Sequence, residues 1–309
     1  MAIQNLSVVY GQTLVELGAE NPNIVALEAD LGKSTMSCLF EDAHPDRHFE
    51  MSIAEQNMVS FAAGLALTGK IPFVNSFAVF ATGRPYDQIR TSVSILALNV
   101  NIVGTCAGLS DFGDGSTHQA IEDVAIMRAI PNMTIVEPCD GPETAKAVRA
   151  AAAYDGPVYI RINRADVPDI TPQDREFVIG ENYVIREGSD VTLFAAGAMV
   201  HRGLAAAKTL ATEGISVRIV NMVSLKPVVD ETVRSFADGT KAIVTAEEHS
   251  LIGGLGSIVT YALKGDGRPI ECVGMNDVFG QSAAGYEELV AAYGLTTDDV
   301  TQAIRKSLG

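Results

Sequence analysis

The chain has 309 residues, a net charge of −16 and a hydrophobic content of 47%. This composition is typical of a globular protein of about two domains. A strongly acidic surface repels nucleic-acid phosphates and anionic membrane faces, so we exclude both as partners. No segment approaches the ~18 consecutive apolar residues that a membrane span needs.

The four cysteines are widely separated and form no Cys-x-x-Cys pair; they are Cys38, Cys106, Cys139 and Cys272. This spacing argues against a zinc site or a disulfide framework and suits a reducing compartment. The N-terminus also lacks a basic region followed by an apolar run. We therefore expect a cytoplasmic protein.

Short β-branched runs alternate with alanine-rich stretches in the first half of the chain. The runs lie near Ile24 and at 71–74, 100–104, 133–138 and 157–162. Alanine-rich segments between them predict helices, one with Pro142 near its start and Gly156 beyond its end. Strands that alternate with helices predict a parallel sheet covered on both faces.

Residues 171–185 are polar and show no sustained helical period, which predicts a linker. A second series of strands and helices follows and ends in a helix from Asp298. We therefore predict an α/β protein of two doubly wound domains, at 1–170 and 186–309.

Three short patterns resemble known sites but are better explained by local structure. Gly32–Thr35 lacks the first glycine of a phosphate-binding loop, because Leu27 stands there. Gly253–Gly256 has Val259 where a dinucleotide turn needs glycine, so we predict a tight turn. Glu247, Glu248 and His249 have no further metal ligands nearby, so we predict a solvated strand end.

Three other segments carry residues suited to chemistry. Glu55 precedes an alanine-rich helix, where a carboxylate either complements the helix dipole or acts in a site. Phe77 and Phe80 would share one face of a helical turn, as a core pair or as a stacking surface. The glycine-rich loop at 104–119 carries Asp114 and His118 and follows a strand, where open α/β sheets place ligands.

Five motifs, taken in their order along the chain, resemble the transketolase family of thiamine-diphosphate enzymes. The motifs are Ala29–Leu31, Ala54–Gln56, Phe77–Phe80, Gly113–Gln119 and the Asn-Arg pair ending at Arg164. The resemblance covers essentially the whole chain and implies a pyrimidine-binding domain followed by the transketolase C-terminal domain.

The resemblance is incomplete in one respect. In this family, a separate domain marked by Gly-Asp-Gly and a later Asn-Asn holds the diphosphate and its metal. No Asn-Asn pair occurs in this chain. The resemblance therefore implies the C-terminal subunit of a split transketolase. Its N-terminal partner would hold Mg²⁺ or another divalent metal, and the two would form a heterotetramer.

The resemblance also implies roles for individual residues. Glu55 would bind the pyrimidine N1′ of thiamine diphosphate, Phe80 would stack on the ring and Phe77 would close the pocket. Substrate hydroxyls would meet Asp114 and His118, with His118 also catalytic. The substrate's terminal phosphate would be held by two further residues, Ser34 and Arg164.

Two positions depart from the usual family pattern. Cys106 stands where many transketolases carry a second active-site histidine, and Gly83 replaces an aromatic residue expected after Phe80. These departures put ordinary pentose phosphates in doubt. We expect ketol transfer from a phosphorylated or otherwise anionic ketose to an aldose, with Cys106 in the substrate site.

Three alternatives remain open at this point. A 1-deoxyxylulose-5-phosphate synthase half would share the fold, although that family normally forms one continuous chain. The beta subunit of a 2-oxoacid dehydrogenase has the same two-domain plan, but the loop from Asp114 to His118 favours transketolase. A non-catalytic assembly subunit would keep only the fold, whereas this chain retains Glu55 and Phe80 as well.

Overall fold

The computed structural model describes residues 2–309 as two main β-sheets covered by helices. The first part of the chain comprises β1 Ile3–Asn5, α1 Leu6–Glu20, β2 Ile24–Glu28, α2 Gly32–Thr35, α3 Cys38–Ala43, β3 His48–Glu50, α4 Glu55–Leu67, β4 Ile71–Phe77, α5 Ala78–Gly83, α6 Tyr86–Gln88, β5 Asn101–Thr105, α7 Asp123–Arg128, β6 Thr134–Val136, α8 Gly141–Ala153, β7 Val158–Arg161 and β8 Asp166–Pro168. Short turns of 3₁₀-helix lie at Pro45–Arg47 and Gly115–Thr117, and a π-helical turn lies at Ile89–Ser94.

The second part repeats the alternation of strands and helices. It comprises β9 Tyr183–Arg186, β10 Val191–Ala195, α9 Met199–Ala211, β11 Val217–Asn221, β12 Ser224–Lys226, α10 Asp230–Ala237, β13 Ala242–Ser250, α11 Leu255–Ala262, β14 Ile270–Met275, α12 Tyr286–Ala292 and α13 Thr297–Leu308. The predicted α/β class with two doubly wound units is confirmed.

The first sheet has seven strands in the order β12-β6-β7-β5-β4-β2-β3. All neighbours are parallel except β12, which pairs antiparallel with β6. Successive residues of β4 point to opposite faces, so Phe73 joins the apolar cluster under α1 and α8 while Val74 joins the one under α4. The sheet is therefore buried on both faces.

The second sheet has five strands in the order β14-β13-β10-β11-β9, parallel except for β9. Strand β9 begins at Tyr183, inside the segment predicted as a linker. The two parts of the chain also share a core, because Val124 and Met127 of α7 belong to the same apolar cluster as Leu255 and Ile258 of α11.

Local sequence explains several helix ends. Helix α8 begins after Asp140, whose side chain accepts a hydrogen bond from the Glu143 amide, and Pro142 lies in its first turn as predicted. Helix α13 begins with a capping box formed by Thr296 and Asp299. None of the helices within residues 2–309 combines the length and the apolar character that a membrane span requires.

Candidate active site

Glu55 is the first residue of α4, and its carboxylate is buried at the carboxyl edge of the first sheet. The helix N-terminus favours a negative charge there. Glu55 lines a cavity of about 320 Å³. The other lining residues come from four separate segments and are Ala29, Asp30, Leu31, Ile53, Phe80, Arg84, Thr117 and His118.

Two phenylalanines and a histidine form an aromatic wall of this cavity. The rings of Phe77 and Phe80 lie 6.1 Å apart and are nearly parallel, at 14°. The His118 ring meets Phe80 edge-on at 5.1 Å, and the Thr117 hydroxyl lies 2.9 Å from His118 Nδ1. Phe77 is buried behind Phe80, whereas Phe80 itself lines the cavity. The wall therefore offers one aromatic face and one imidazole beside a carboxylate.

Arg84 completes the cavity and was not predicted from the sequence. Its Nη1 lies 2.5 Å from Glu55 Oε1, and its Cζ lies 4.0 Å from the centroid of the Phe80 ring. Arg84 follows α5 directly, so the helix that presents Phe80 also sets the position of the guanidinium. The one sequence signal for Arg84 is its neighbour Gly83, which replaces the aromatic residue expected at that position.

Asp114 and Arg164 line a second cavity of about 530 Å³, together with Asp111. The Arg164 side chain is exposed, and no carboxylate of residues 2–309 lies within ion-pair distance of it. Its backbone is held firmly, because its amide donates to Ser110 Oγ at 3.1 Å and its carbonyl accepts from Asn5 Nδ2 at 2.7 Å. The guanidinium is thus available to an anion in this cavity.

Ser34 and Cys106 line neither cavity. Ser34 is half-buried in α2. Cys106 is fully buried in a left-handed backbone conformation, and burial raises the pKa of its thiol to about 12. The thiol is therefore neutral and enclosed, and it lies beside Arg164, which lines the second cavity. The substrate contact expected of Cys106 from the sequence stays a prediction.

The loop that precedes Ser34 is fixed by a buried carboxylate. Glu28 at the end of β2 accepts hydrogen bonds from Thr35 Oγ1 at 2.6 Å and Ser37 Oγ at 2.5 Å. The amide of Ala29 also donates to Glu28, at 2.8 Å. Burial raises the pKa of Glu28 to about 7. These bonds hold the segment that carries Asp30 and Leu31 against the first cavity.

The predicted solvated strand end at Glu247, Glu248 and His249 is wrong. All three residues are buried, because β13 lies between two other strands and its end passes beneath α7. They belong to a buried charge cluster that also contains Asp123, Glu137 and Arg161. Burial raises the pKa of both Glu247 and Glu248 to about 7 and lowers that of His249 to about 4.

Arg161 is the centre of the buried charge cluster. It binds Asp123 at 2.7 Å and Glu137 at 2.6 Å, and it also donates to the Ala120 carbonyl at 3.1 Å. Glu248 in turn accepts from the Leu109 amide at 2.6 Å. Leu109 and Ala120 flank the loop that carries Asp114 and His118, so the cluster anchors this loop at both ends.

Gly115 brings the same loop against the second part of the chain. Its φ is +76°, and a Cβ atom there would lie 2.5 Å from Ser282 Oγ. A side chain would therefore be strained and would collide with its neighbour. This close approach accounts for the glycine between Asp114 and the turn that presents His118.

Comparison with known proteins decides the family. The transketolase pyrimidine-binding domain matches residues 4–169, and the transketolase C-terminal domain matches residues 180–300. The chain belongs to the transketolase family. It is the C-terminal subunit of a split transketolase, an enzyme that transfers ketol groups and needs a partner chain. Thiamine diphosphate is the cofactor that membership of this family implies.

Several relatives match nearly the full chain. A putative transketolase C-terminal section from Methanocaldococcus jannaschii is 42% identical, over 97% of this chain and 95% of its own. The 6-deoxy-6-sulfo-D-fructose transketolase subunit SqwH of a Clostridium species is 41% identical, over 95% and 91%. Human transketolase is 38% identical, over 96% of this chain but 48% of its own length.

A solved structure extends the comparison to three dimensions. It is described as a split gene transketolase, inactive beta4 tetramer, and is 49% identical to this chain. The two structures superpose with a TM-score of 0.90, over 98% of each chain. The subunit type that we predicted from the motifs is confirmed.

Proposed function

We propose that Glu55, Phe80 and His118 form this subunit's half of the thiamine-diphosphate site. The main support is a buried carboxylate beside an aromatic face in one cavity of about 320 Å³. An aminopyrimidine needs this combination, namely a hydrogen-bonding carboxylate and a flat stacking surface. When bound, thiamine diphosphate supplies the carbanion chemistry that makes and breaks the ketose carbon–carbon bond.

Each residue has a distinct task in this proposal. Glu55 would hold a proton at the pyrimidine N1′, where the apolar surroundings strengthen the hydrogen bond. Phe80 would fix the plane of the ring, while Phe77 supports Phe80 from behind. His118 would exchange protons with substrate oxygens, and its ring is oriented by the Thr117 hydroxyl.

We further propose that the N-terminal partner holds the diphosphate and its divalent metal. In the part of the chain that the structure describes, no group of three or more His, Cys, Asp or Glu side chains is arranged to hold a metal ion. The partner would approach the cavity at Glu55, so that the cofactor lies between the two chains. Co-expression of both chains and an assay of ketose donors tests the function. Transfer from a ketose supports the proposal, whereas use of pyruvate in place of a ketose contradicts it.

The substrate that we propose is an anionic ketose, with Arg164 as the anion contact and Asp114 as a hydroxyl contact. The support is the exposed guanidinium that lines the second cavity and has no carboxylate of the described residues within ion-pair distance. Two relatives are named for such substrates, a sulfofructose and apulose 4-phosphate. Ser34, on α2, is a further contact to the same anion in this proposal, as the family resemblance implies.

Arg164→Ala should raise the KM for phosphorylated or sulfonated ketoses about tenfold to a hundredfold, with little change for neutral ketoses. The estimate follows from the ~1.5 to 3 kcal/mol of a charged hydrogen bond. Steady-state kinetics with one charged and one neutral donor measure the difference. Equal losses on both donors would show that Arg164 supports structure only.

We also propose a heterotetramer with two copies of each chain. Exposed apolar side chains lie just before and along α4, which begins at Glu55, and just after the π-helical turn that packs against α4; they are Ile53, Phe61, Leu67, Ile95 and Leu96. Exposed apolar surface of this kind marks a protein interface. A related subunit also forms a tetramer on its own.

Phe61→Asp should therefore weaken both self-association of the isolated chain and assembly with the partner. Sedimentation velocity measures the masses of both species. Val229→Asp is the matched control, because Val229 is also exposed but lies at the start of α10. A fully active one-to-one pair that stays intact on dilution would contradict the heterotetramer.

Two further points remain proposals. The domain boundaries that we propose are 1–170 and 186–309, with a linker at 171–185 whose last residues join β9. We also propose that the subunit works in the cytoplasm, because unpaired buried thiols such as Cys106 and Cys139 suit a reducing compartment.

A further inference from the structure

Arg84 makes two contacts that together define a position within the first cavity. Its Nη1 lies 2.5 Å from Glu55 Oε1, and its Cζ lies 4.0 Å from the centroid of the Phe80 ring. A guanidinium is flat and carries N–H donors at its edge. Arg84 therefore lies over an aromatic face and donates to a carboxylate at the same time.

These contacts are the ones assigned above to the aminopyrimidine. That ring is also flat, would stack on Phe80 and would bind the Glu55 carboxylate. The two groups cannot occupy the same place. A buried carboxylate without a partner is costly, so Glu55 needs a donor whether or not the cofactor is bound.

We propose that Arg84 occupies the aminopyrimidine position in the subunit before the cofactor binds, and that it must leave for the cofactor to enter. This inference rests on the proposed function, because it assumes that Glu55 and Phe80 bind the pyrimidine. Arg84 thereby donates a hydrogen bond to the Glu55 carboxylate and covers the Phe80 ring until the cofactor replaces both contacts.

The surroundings of Arg84 allow this movement. Its side chain is 46% exposed, in contrast to that of Glu55 at 4%. A neighbouring cavity of about 480 Å³ is lined by Arg84 and Glu55 together with Ala54, Gln56 and Asn57. Gly83 precedes Arg84, and beyond its chain neighbours and the backbone of its own helix no atom of residues 2–309 lies within 4 Å of where its Cβ would be. The guanidinium can therefore swing outwards without displacing the core.

The inference predicts that a substitution in the binding site strengthens cofactor binding, whereas such substitutions usually weaken it. Binding is weakened when the competent conformation is only partly populated, and a substitution that removes the competing conformation restores it. Arg84→Met keeps an apolar stem but removes the guanidinium. It should tighten thiamine-diphosphate binding to the reconstituted complex about fivefold to fiftyfold.

Calorimetric titration of the reconstituted complex with thiamine diphosphate and Mg²⁺ measures this change directly. Lys208→Met is the matched control, because it removes one positive charge from an exposed site on α9 and should leave affinity unchanged. Arg84→Gln is a second variant that should act in the same direction if Arg84→Met does not fold.

Unchanged or weaker cofactor binding in the Arg84 variants would overturn the inference. Phe80→Ala separates that result from failure of the proposed function. If Phe80→Ala weakens cofactor binding while the Arg84 variants do not tighten it, the cofactor site stands and only the role of Arg84 is wrong. If Phe80→Ala leaves binding unchanged, the cofactor site itself is misplaced, and the inference fails with it.

Discussion

Glu55→Gln should leave thiamine diphosphate bound to the reconstituted enzyme but lower kcat by a factor of ~10² to 10³. Glutamine keeps the size of the side chain and can still hydrogen-bond, but an amide cannot exchange a proton with the pyrimidine N1′ as a carboxyl group can. Loss of one interaction that acts mainly in the transition state typically costs about this much. Calorimetry and steady-state kinetics on one preparation separate binding from turnover.

Glu231→Gln is the matched control for this variant. Glu231, like Glu55, lies in the first turn of a helix, here α10, but it is exposed and does not line the cavity. Loss of a favourable helix-dipole interaction alone costs only ~0.3 to 1 kcal/mol of stability and does not affect chemistry. Wild-type turnover in Glu55→Gln would contradict the catalytic role of Glu55 and leave only its favourable position at the start of α4.

Arg161→Met should lower the free energy of unfolding by about 3 to 5 kcal/mol. The guanidinium is fully buried and neutralises Asp123 and Glu137, so its removal leaves carboxylates without a counter-charge. Methionine keeps an unbranched stem but offers no donors. Urea denaturation measures the loss when both proteins are fitted with the same dependence of unfolding free energy on urea concentration. Arg164→Met is the control, because Arg164 is an exposed arginine on the same segment, and it should change stability by less than ~0.5 kcal/mol.

A double variant refines this prediction. Arg161→Met combined with Asp123→Asn should recover part of the loss, because removal of both partners leaves fewer unpaired groups than removal of one. An Arg161→Met protein that unfolds at the wild-type urea concentration would show that water or neighbouring groups replace the guanidinium. The buried charge cluster would then have no role in anchoring the loop of His118.

The parallel strands and their intervening helices could be predicted because each has a local signal. Helix α1 was not predicted, although Leu6, Tyr10, Leu14 and Leu17 follow helical spacing and are buried. Its glycines obscure the pattern. Gly11 is required instead by close packing, since a Cβ there would lie 2.5 Å from the Met36 carbonyl oxygen.

The buried charge cluster and Arg84 could not be predicted because their partners are distant in sequence. Glu248 binds the amide of Leu109, and Arg84 binds Glu55, so neither residue has a local pattern that reveals its environment. The positions of Glu55, Phe80 and His118 in one cavity are different. Each follows the end of a strand of the same sheet, and parallel topology brings such ends together.

Strand β12 limits how far this subunit can be treated as modular. It belongs by sequence to the second part of the chain, yet it forms the edge of the first sheet by pairing with β6. A fragment cut at the linker would lose that edge strand and expose the short strand β6 beside an opened apolar core. The smallest unit that can be transplanted, recombined or expressed on its own is therefore the pair of domains together.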